Sequence, residues 1–166
     1  VRQIAALPEV DIQAINKANF RVAFDSVNSV GGIAVPYLLR ALGVEEIIPI
    51  NAVPDGRFRH NPEPLPKHLD ALVEGVTSHA ASVGFAVDPD VDRLAIVDEK
   101  GNFFGEEYTL VAVADYILSS KGAGATVSNL SSTRALRIVT EQHGGSYSAA
   151  AVGEVNVVKK MKETNA

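Results

Sequence analysis

The sequence predicts a three-layer α/β/α fold with a mixed, largely parallel sheet, built as one complete unit followed by a truncated second unit. Three observations carry this. Strand-like apolar runs alternate with helical spacings along the 166 residues. The alternation halts at the turn Glu99-Lys100-Gly101-Asn102 and then restarts. After the restart only two clear strands follow, too few for a self-sufficient core. The boundary therefore falls within residues 102–105, giving units over 1–104 and 105–166.

Residues 1–18 mix apolar and polar positions and read as a short helix broken near Pro8. Residues 20–25 alternate into a strand. Asp25-Ser26-Val27-Asn28-Ser29-Val30-Gly31-Gly32 follows as a strand-to-helix turn. The helical spacing of 33–42 stops at Gly43, a natural C-cap position. A second strand covers 45–50. Residues 51–66 hold four prolines and little periodicity, which predicts a long loop. A helix over 67–81 leads to two apolar strands, 82–87 and 94–97, around Asp88-Pro89-Asp90-Val91-Asp92-Arg93. In the second unit a strongly apolar helix covers 106–120, and Lys121-Gly122-Ala123-Gly124 closes it. A strand at 125–130, a helix at 132–143 capped by Gly144-Gly145, a strand at 146–151 and a helix at 154–162 complete the pattern.

Bulk properties exclude several classes. Apolar content of 46% with 21% charged residues is ordinary for a well-packed globular protein. A formal charge of −5 argues against a general nucleic-acid binder, because phosphate backbones select basic surfaces. Without cysteine there is neither a disulfide framework nor a thiolate metal site. No apolar run approaches the length needed to span a bilayer, and no signal-peptide pattern opens the chain. A soluble, cytoplasmic protein with no membrane partner is the simplest fit. Val1 in place of a methionine, and an end just after a helical stretch, lead to the expectation of a piece cut from a longer polypeptide.

Chemistry concentrates at Asp88-Pro89-Asp90-Val91-Asp92-Arg93. Three carboxylates at alternate positions repel one another unless something neutralises them. Held between two buried strands, they offer hard oxygen ligands suited to Mg²⁺ or Ca²⁺; a solvated acidic turn is the bland alternative. Asp88, Asp90, Asp92 and Glu99 also match positions 1, 3, 5 and 12 of an EF-hand loop, but Arg93 stands where the sharp turn needs glycine. Asp88-Pro89-Asp90-Val91 also resembles the aspartyl-phosphate motif of haloacid-dehalogenase-type phosphatases, without a clear downstream lysine and acidic pair. Arg93 either offsets the aspartates or, beside a cation, clamps a phosphoryl group. A stand-alone divalent-metal binding module fits the same residues.

Other features read as structural. Gly31-Gly32 before a helix is a turn more readily than a phosphate cradle. His60, His68, His79 and His143 lack ligand spacing and suit solvated or capping roles. Lys159-Lys160-Met161-Lys162 closes a helix, where cations favour the dipole.

Several motifs in order give the chain a family resemblance. The loop from Asp88 to Arg93, with Val97-Asp98-Glu99-Lys100-Gly101 after it, resembles the metal-binding loop of the α-D-phosphohexomutases. The turn from Asp25 to Gly32 resembles their second-domain turn. Pro54-Asp55-Gly56-Arg57-Phe58 with Asn61-Pro62-Glu63-Pro64 resembles their proline-rich loop. Asn129-Leu130-Ser131-Ser132-Thr133-Arg134, Val152-Gly153-Glu154 and Met161-Lys162-Glu163-Thr164 resemble the opening of their third domain.

The resemblance implies that Asp88, Asp90 and Asp92 ligate Mg²⁺, that Arg93 contacts a phosphoryl group, and that Gly153 and Glu154 approach the sugar of a hexose phosphate substrate. The reaction implied is phosphate transfer between the 1- and 6-positions through a phosphoserine and a bisphosphate intermediate. The nucleophilic serine and domains I and IV have no counterpart here. Arg59-His60-Asn61-Pro62 imitates the serine loop, but Arg59 takes the serine's place. The expectation is therefore an inactive fragment of a phosphohexomutase. Apolar positions on the 110–118 helix carry a further expectation of self-association.

Overall fold

The computed structural model describes all of residues 1–166. Two compact units divide the chain, Val1–Glu106 and Glu107–Ala166. The first contains helices α1 (Arg2–Ala5), α2 (Ile12–Ala18), α3 (Gly31–Ala41) and α4 (Asp70–Ser78). Its strands are β1 (Arg21–Asp25), β2 (Glu46–Ile50), β3 (Val83–Val87) and β4 (Leu94–Asp98). They form one sheet in the order β2-β1-β3-β4. β1 pairs in parallel with β2 and with β3, and β4 runs antiparallel to β3. The sheet is thus mixed and largely parallel, as the alternation of strands and helices predicts.

Strand side chains alternate between two faces, and each face has its own packing. Ala23, Ala86 and Val97 pack with Leu69, Leu72 and Val76 at and along α4. Val22 packs with Leu39 of α3 and with Val44, and Ile15 of α2 leans on the same cluster. Helices therefore cover both faces, leaving the loops at the carboxyl ends of β1 and β3 to form the functional edge.

The second unit opens within α5 (Glu106–Lys121) and continues through β5 (Ala125–Asn129), α6 (Ala135–Gln142), β6 (Ser146–Ala150) and α7 (Glu154–Thr164). β5 and β6 pair in parallel as a two-stranded sheet. Its interior carries polar pairs, with Thr126 and Thr140 hydroxyls 2.6 Å apart and Ser128 2.9 Å from the Tyr147 hydroxyl.

Boundaries differ from the sequence reading, two of them where a side chain bonds the backbone. Residues 1–18 form two helices, because Asp11 accepts from the Ala14 amide and caps α2 independently of α1. In place of one helix over 67–81, a single 3₁₀ turn at Pro66–His68 precedes α4. Leu69, with φ −114°, separates the two. α6 starts later than the periodicity predicts, because Asn129 Oδ1 accepts from the Ser131 amide and the Ser132 hydroxyl.

At α3 the helix begins at Gly31 rather than beyond it, and backbones approach closely there. A Cβ on Gly32 would lie 2.0 Å from the Ala52 carbonyl oxygen, and that oxygen belongs to main chain rather than to a flexible side chain. Gly32→Ala is expected to lower stability by roughly 1–3 kcal/mol or more through overpacking. Urea denaturation checks this, and an unchanged midpoint would show that the approach is not maintained in solution.

Candidate metal centre

Parallel pairing of β1 with β3 places Asp25 beside Ala86, so the turn after β1 and the loop after β3 emerge together. Asp25 is 1% exposed. Its Oδ1 accepts from the Val27 amide at 2.8 Å, and its Oδ2 accepts from Asn51 Nδ2 at 2.8 Å. His60 Nε2 lies 3.2 Å from the same Oδ2, and His60 Nδ1 lies 2.8 Å from the Asn61 carbonyl. The proline-rich loop between β2 and α4 is thereby fastened to the end of β1.

Asp88 follows β3 directly and is buried. Its Oδ1 accepts from the amides of Asp92 (3.0 Å) and Arg93 (3.1 Å), which folds the loop back on itself. The turn is closed by the Val91 amide donating to the Asp88 carbonyl, with Val91 at φ 64°. A β-branched residue in the left-handed region is strained, and such strain persists only where neighbours enforce it. Asp90 and Asp92 are exposed, yet one carboxylate oxygen from each of Asp88, Asp90 and Asp92 lies within 4.8 Å of the others.

The Asp88 and Asp92 carboxyls respond in opposite directions. Burial alone would push the Asp88 carboxyl up. The Arg93 amide, hydrogen bonds with the Asp92 and Asp90 side chains and the Asp92 amide outweigh it and hold the group below its ordinary value. Asp92 is pushed up, chiefly by its side-chain hydrogen bond with Asp88 and then by the charges of Asp90 and Asp88. Three converging oxygens make a hard donor set that fits Mg²⁺ or Ca²⁺, with positions to spare for water or phosphate oxygens.

Arg93 extends from this loop toward the proline-rich loop. Its Nε lies 3.9 Å from Asp88 Oδ2 and its Nη1 lies 3.5 Å from Glu63 Oε1. Asn61, Pro62, Glu63, Asp88, Pro89 and Arg93 line an open, shallow cleft of about 300 Å³.

Asp88, Asp90, Asp92 and Arg93 are thus brought together as the sequence expects. The EF-hand alternative fails, because residues 94–98 remain in the sheet as β4 and carry Glu99 away from the loop. Gly153 and Glu154 belong to the second unit. There Gly153, at φ 117°, precedes α7, and Glu154 is its exposed first residue. Two of the histidines are not merely solvated or capping. His60 bridges a buried aspartate, and His143 Nε2 lies 2.7 Å from Asp115 Oδ1. The Asp25–His60 and Arg93–Glu63 contacts are missed by sequence reasoning, since each spans at least thirty positions with no local spacing signal.

Comparison with known proteins adds an independent line. Residues 1–101 match the profile of "Phosphoglucomutase/phosphomannomutase, alpha/beta/alpha domain II", and residues 105–166 match that of domain III. A phosphoglucomutase/phosphomannomutase of Thermococcus kodakarensis is 35% identical over 94% of this chain and 34% of its own length. A probable phosphoglucosamine mutase of Pyrococcus furiosus is 36% identical over 92% of this chain and 34% of its own length. The chain therefore spans about a third of the curated relatives it matches. Among solved structures, a putative phosphomannomutase of Thermus thermophilus superposes with TM-score 0.83 at 26% identity, covering 96% of this chain and 37% of its own. An Aspergillus fumigatus N-acetylphosphoglucosamine mutase, solved with GlcNAc-6P and magnesium, shares the fold at TM-score 0.59 and 14% identity over 92% of this chain and 33% of its own.

The opposed carboxyls yield a paired expectation. Asp88→Ala strands two loop amides and should cost about 1–3 kcal/mol in urea denaturation. Asp92→Asn should instead raise the melting temperature of the metal-free chain at neutral pH. The sign follows from linkage: a carboxyl raised in the folded state costs stability above its folded value, and that cost disappears as pH falls through it. Equal destabilisation by both substitutions would contradict the division of roles.

Proposed function

Because the chain belongs to the phosphoglucomutase/phosphomannomutase family, spanning its domains II and III, we propose that it forms the metal-binding middle of a phosphohexomutase. The whole enzyme then moves phosphate between the 1- and 6-positions of a hexose phosphate, through a phosphoserine supplied from outside this chain and a bisphosphate intermediate. The observation that supports this most is the convergence of Asp88, Asp90 and Asp92 oxygens at the end of β3 with Arg93 beside them.

In this reading Asp88, Asp90 and Asp92 would hold Mg²⁺, which as a Lewis acid would stabilise charge on phosphoryl oxygens. Asp88 also fixes the loop through its Oδ1, so the donors are arranged before any ligand arrives. Arg93 presents a fork of N–H donors from the rim of the same cleft and would orient a phosphoryl group beside the cation site. Gly153 and Glu154, at the start of α7, are the positions proposed to face the sugar. The relatives' names divide among glucose, mannose and glucosamine phosphates. A hexose phosphate is therefore the proposed substrate class, and the cytoplasm is the proposed setting. Exposed Tyr108, Leu110, Val113 and Tyr116 on α5 support self-association of the isolated chain.

Three measurements test the reading. The 166-residue chain with a hexose 1-phosphate, Mg²⁺ and a bisphosphate activator should give no isomerisation, since it carries no phosphoserine loop; turnover would overturn the fragment reading. Calorimetry should show weak Mg²⁺ binding that Asp90→Asn abolishes, whereas tight Ca²⁺ binding would favour a dedicated metal module. Aryl phosphate hydrolysis lost in Asp88→Asn would instead establish a phosphatase.

A further inference from the structure

One oxygen of Asp88 is contested. Oδ1 is committed to the amides of Asp92 and Arg93, so Oδ2 is the oxygen left for an incoming cation. Arg93 Nε already lies 3.9 Å from that same Oδ2. A guanidinium and a divalent cation cannot both sit against one carboxylate oxygen without strong repulsion. The guanidinium does not close on Asp88 in a bidentate pair, as an arginine beside three carboxylates would by charge alone. Its nearer ion pair is across the cleft, 3.5 Å to Glu63.

Glu63 is held where it can receive that charge. Its amide donates to Asn61 Oδ1 at 3.0 Å, and its carbonyl accepts from the Leu65 amide at 2.8 Å. Three residues earlier in the loop, His60 bonds to the buried Asp25. The Glu63 backbone is therefore fixed within its own loop, and its carboxylate meets Arg93 from there. Both side chains are exposed, 51% for Glu63 and 60% for Arg93, so the pair does little for folding and its effect is on orientation.

We propose that Glu63 is a positioning residue for Arg93, drawing the guanidinium off Asp88 Oδ2 so that a divalent cation and Arg93 occupy the cleft together. This deepens the metal-loop reading and rests on it. Glu63 touches neither the cation nor the transferring group. It acts through Arg93 alone.

A double-mutant cycle on the 166-residue chain tests this by calorimetric titration with MgCl₂. Glu63→Gln should weaken Mg²⁺ affinity about two- to fivefold, the range of one exposed ion pair. Arg93→Gln should strengthen it, by removing the competitor. In the Arg93→Gln background, Glu63→Gln should change nothing further. An equal loss in both backgrounds would mean that only a distant negative charge was removed, and would overturn the proposal while leaving the metal loop intact. Absence of Mg²⁺ binding in the parent chain would overturn the metal reading and the proposal together. A metal-free readout accompanies the cycle. The Arg93 Nε–Hε resonance should move in Glu63→Gln while that of Arg137, paired with Glu141, stays fixed; an unmoved Arg93 signal also refutes the proposal.

Discussion

The site depends on the parallel pairing of β1 with β3. Their register sets Asp25 opposite Ala86, and the turn after β1 and the loop after β3 then leave the sheet side by side. A slip by one residue would turn Val22 and Ala23 onto the wrong faces, exposing core on one side and burying a mismatch on the other. The packing on α4 and on α3 therefore enforces the register that aligns the two loops. Apolar burial thus decides where the carboxylates stand.

Asp25 and Asp88 solve one local problem in the same way and then diverge. Each lies at or just past the carboxyl end of a parallel strand, and each uses Oδ1 to accept amides of its own following turn. Those turns contain residues in the left-handed region: Val27 at φ 48° and Asn28 at φ 57° after Asp25, and Val91 at φ 64° within the Asp88 loop. The carboxylate–amide bonds help keep this strained backbone in place. The difference lies in Oδ2. In Asp25 it is occupied by Asn51 and His60, so the residue is a structural anchor. In Asp88 it faces Arg93 in a loop where the Asp90 and Asp92 carboxylates also converge, so the same device becomes chemically available.

Much of this is legible in the sequence, for identifiable reasons. The strands around Asp88 and the alternation of strands with helices are local patterns, and spacing alone locates them. The convergence of Asp88, Asp90 and Asp92 follows because a tight turn between paired strands cannot hold them far apart. What is not legible comes from long range. His60 reads as a scattered histidine until the fold brings it to Asp25, 35 positions away. Glu63 reads as one acid in a proline-rich loop until that loop folds against Arg93. The start of α6 shifts because short-range bonds to Asn129 outcompete helical propensity.

The charge arrangement also explains why such a loop needs a rigid support. Asp92 is held toward its neutral form by its neighbours, whereas the amides on Asp88 keep that carboxyl ionised. A flexible loop would relieve the repulsion by spreading its carboxylates, and would then have to gather them again around a cation at an entropic cost. Here the antiparallel return into β4 and the amide bonds to Asp88 Oδ1 prevent spreading. The repulsion is thus a standing cost of the folded chain, offset by core packing beneath it. A divalent cation placed among these three oxygens would relieve that cost directly, because it replaces repulsion between like charges with attraction.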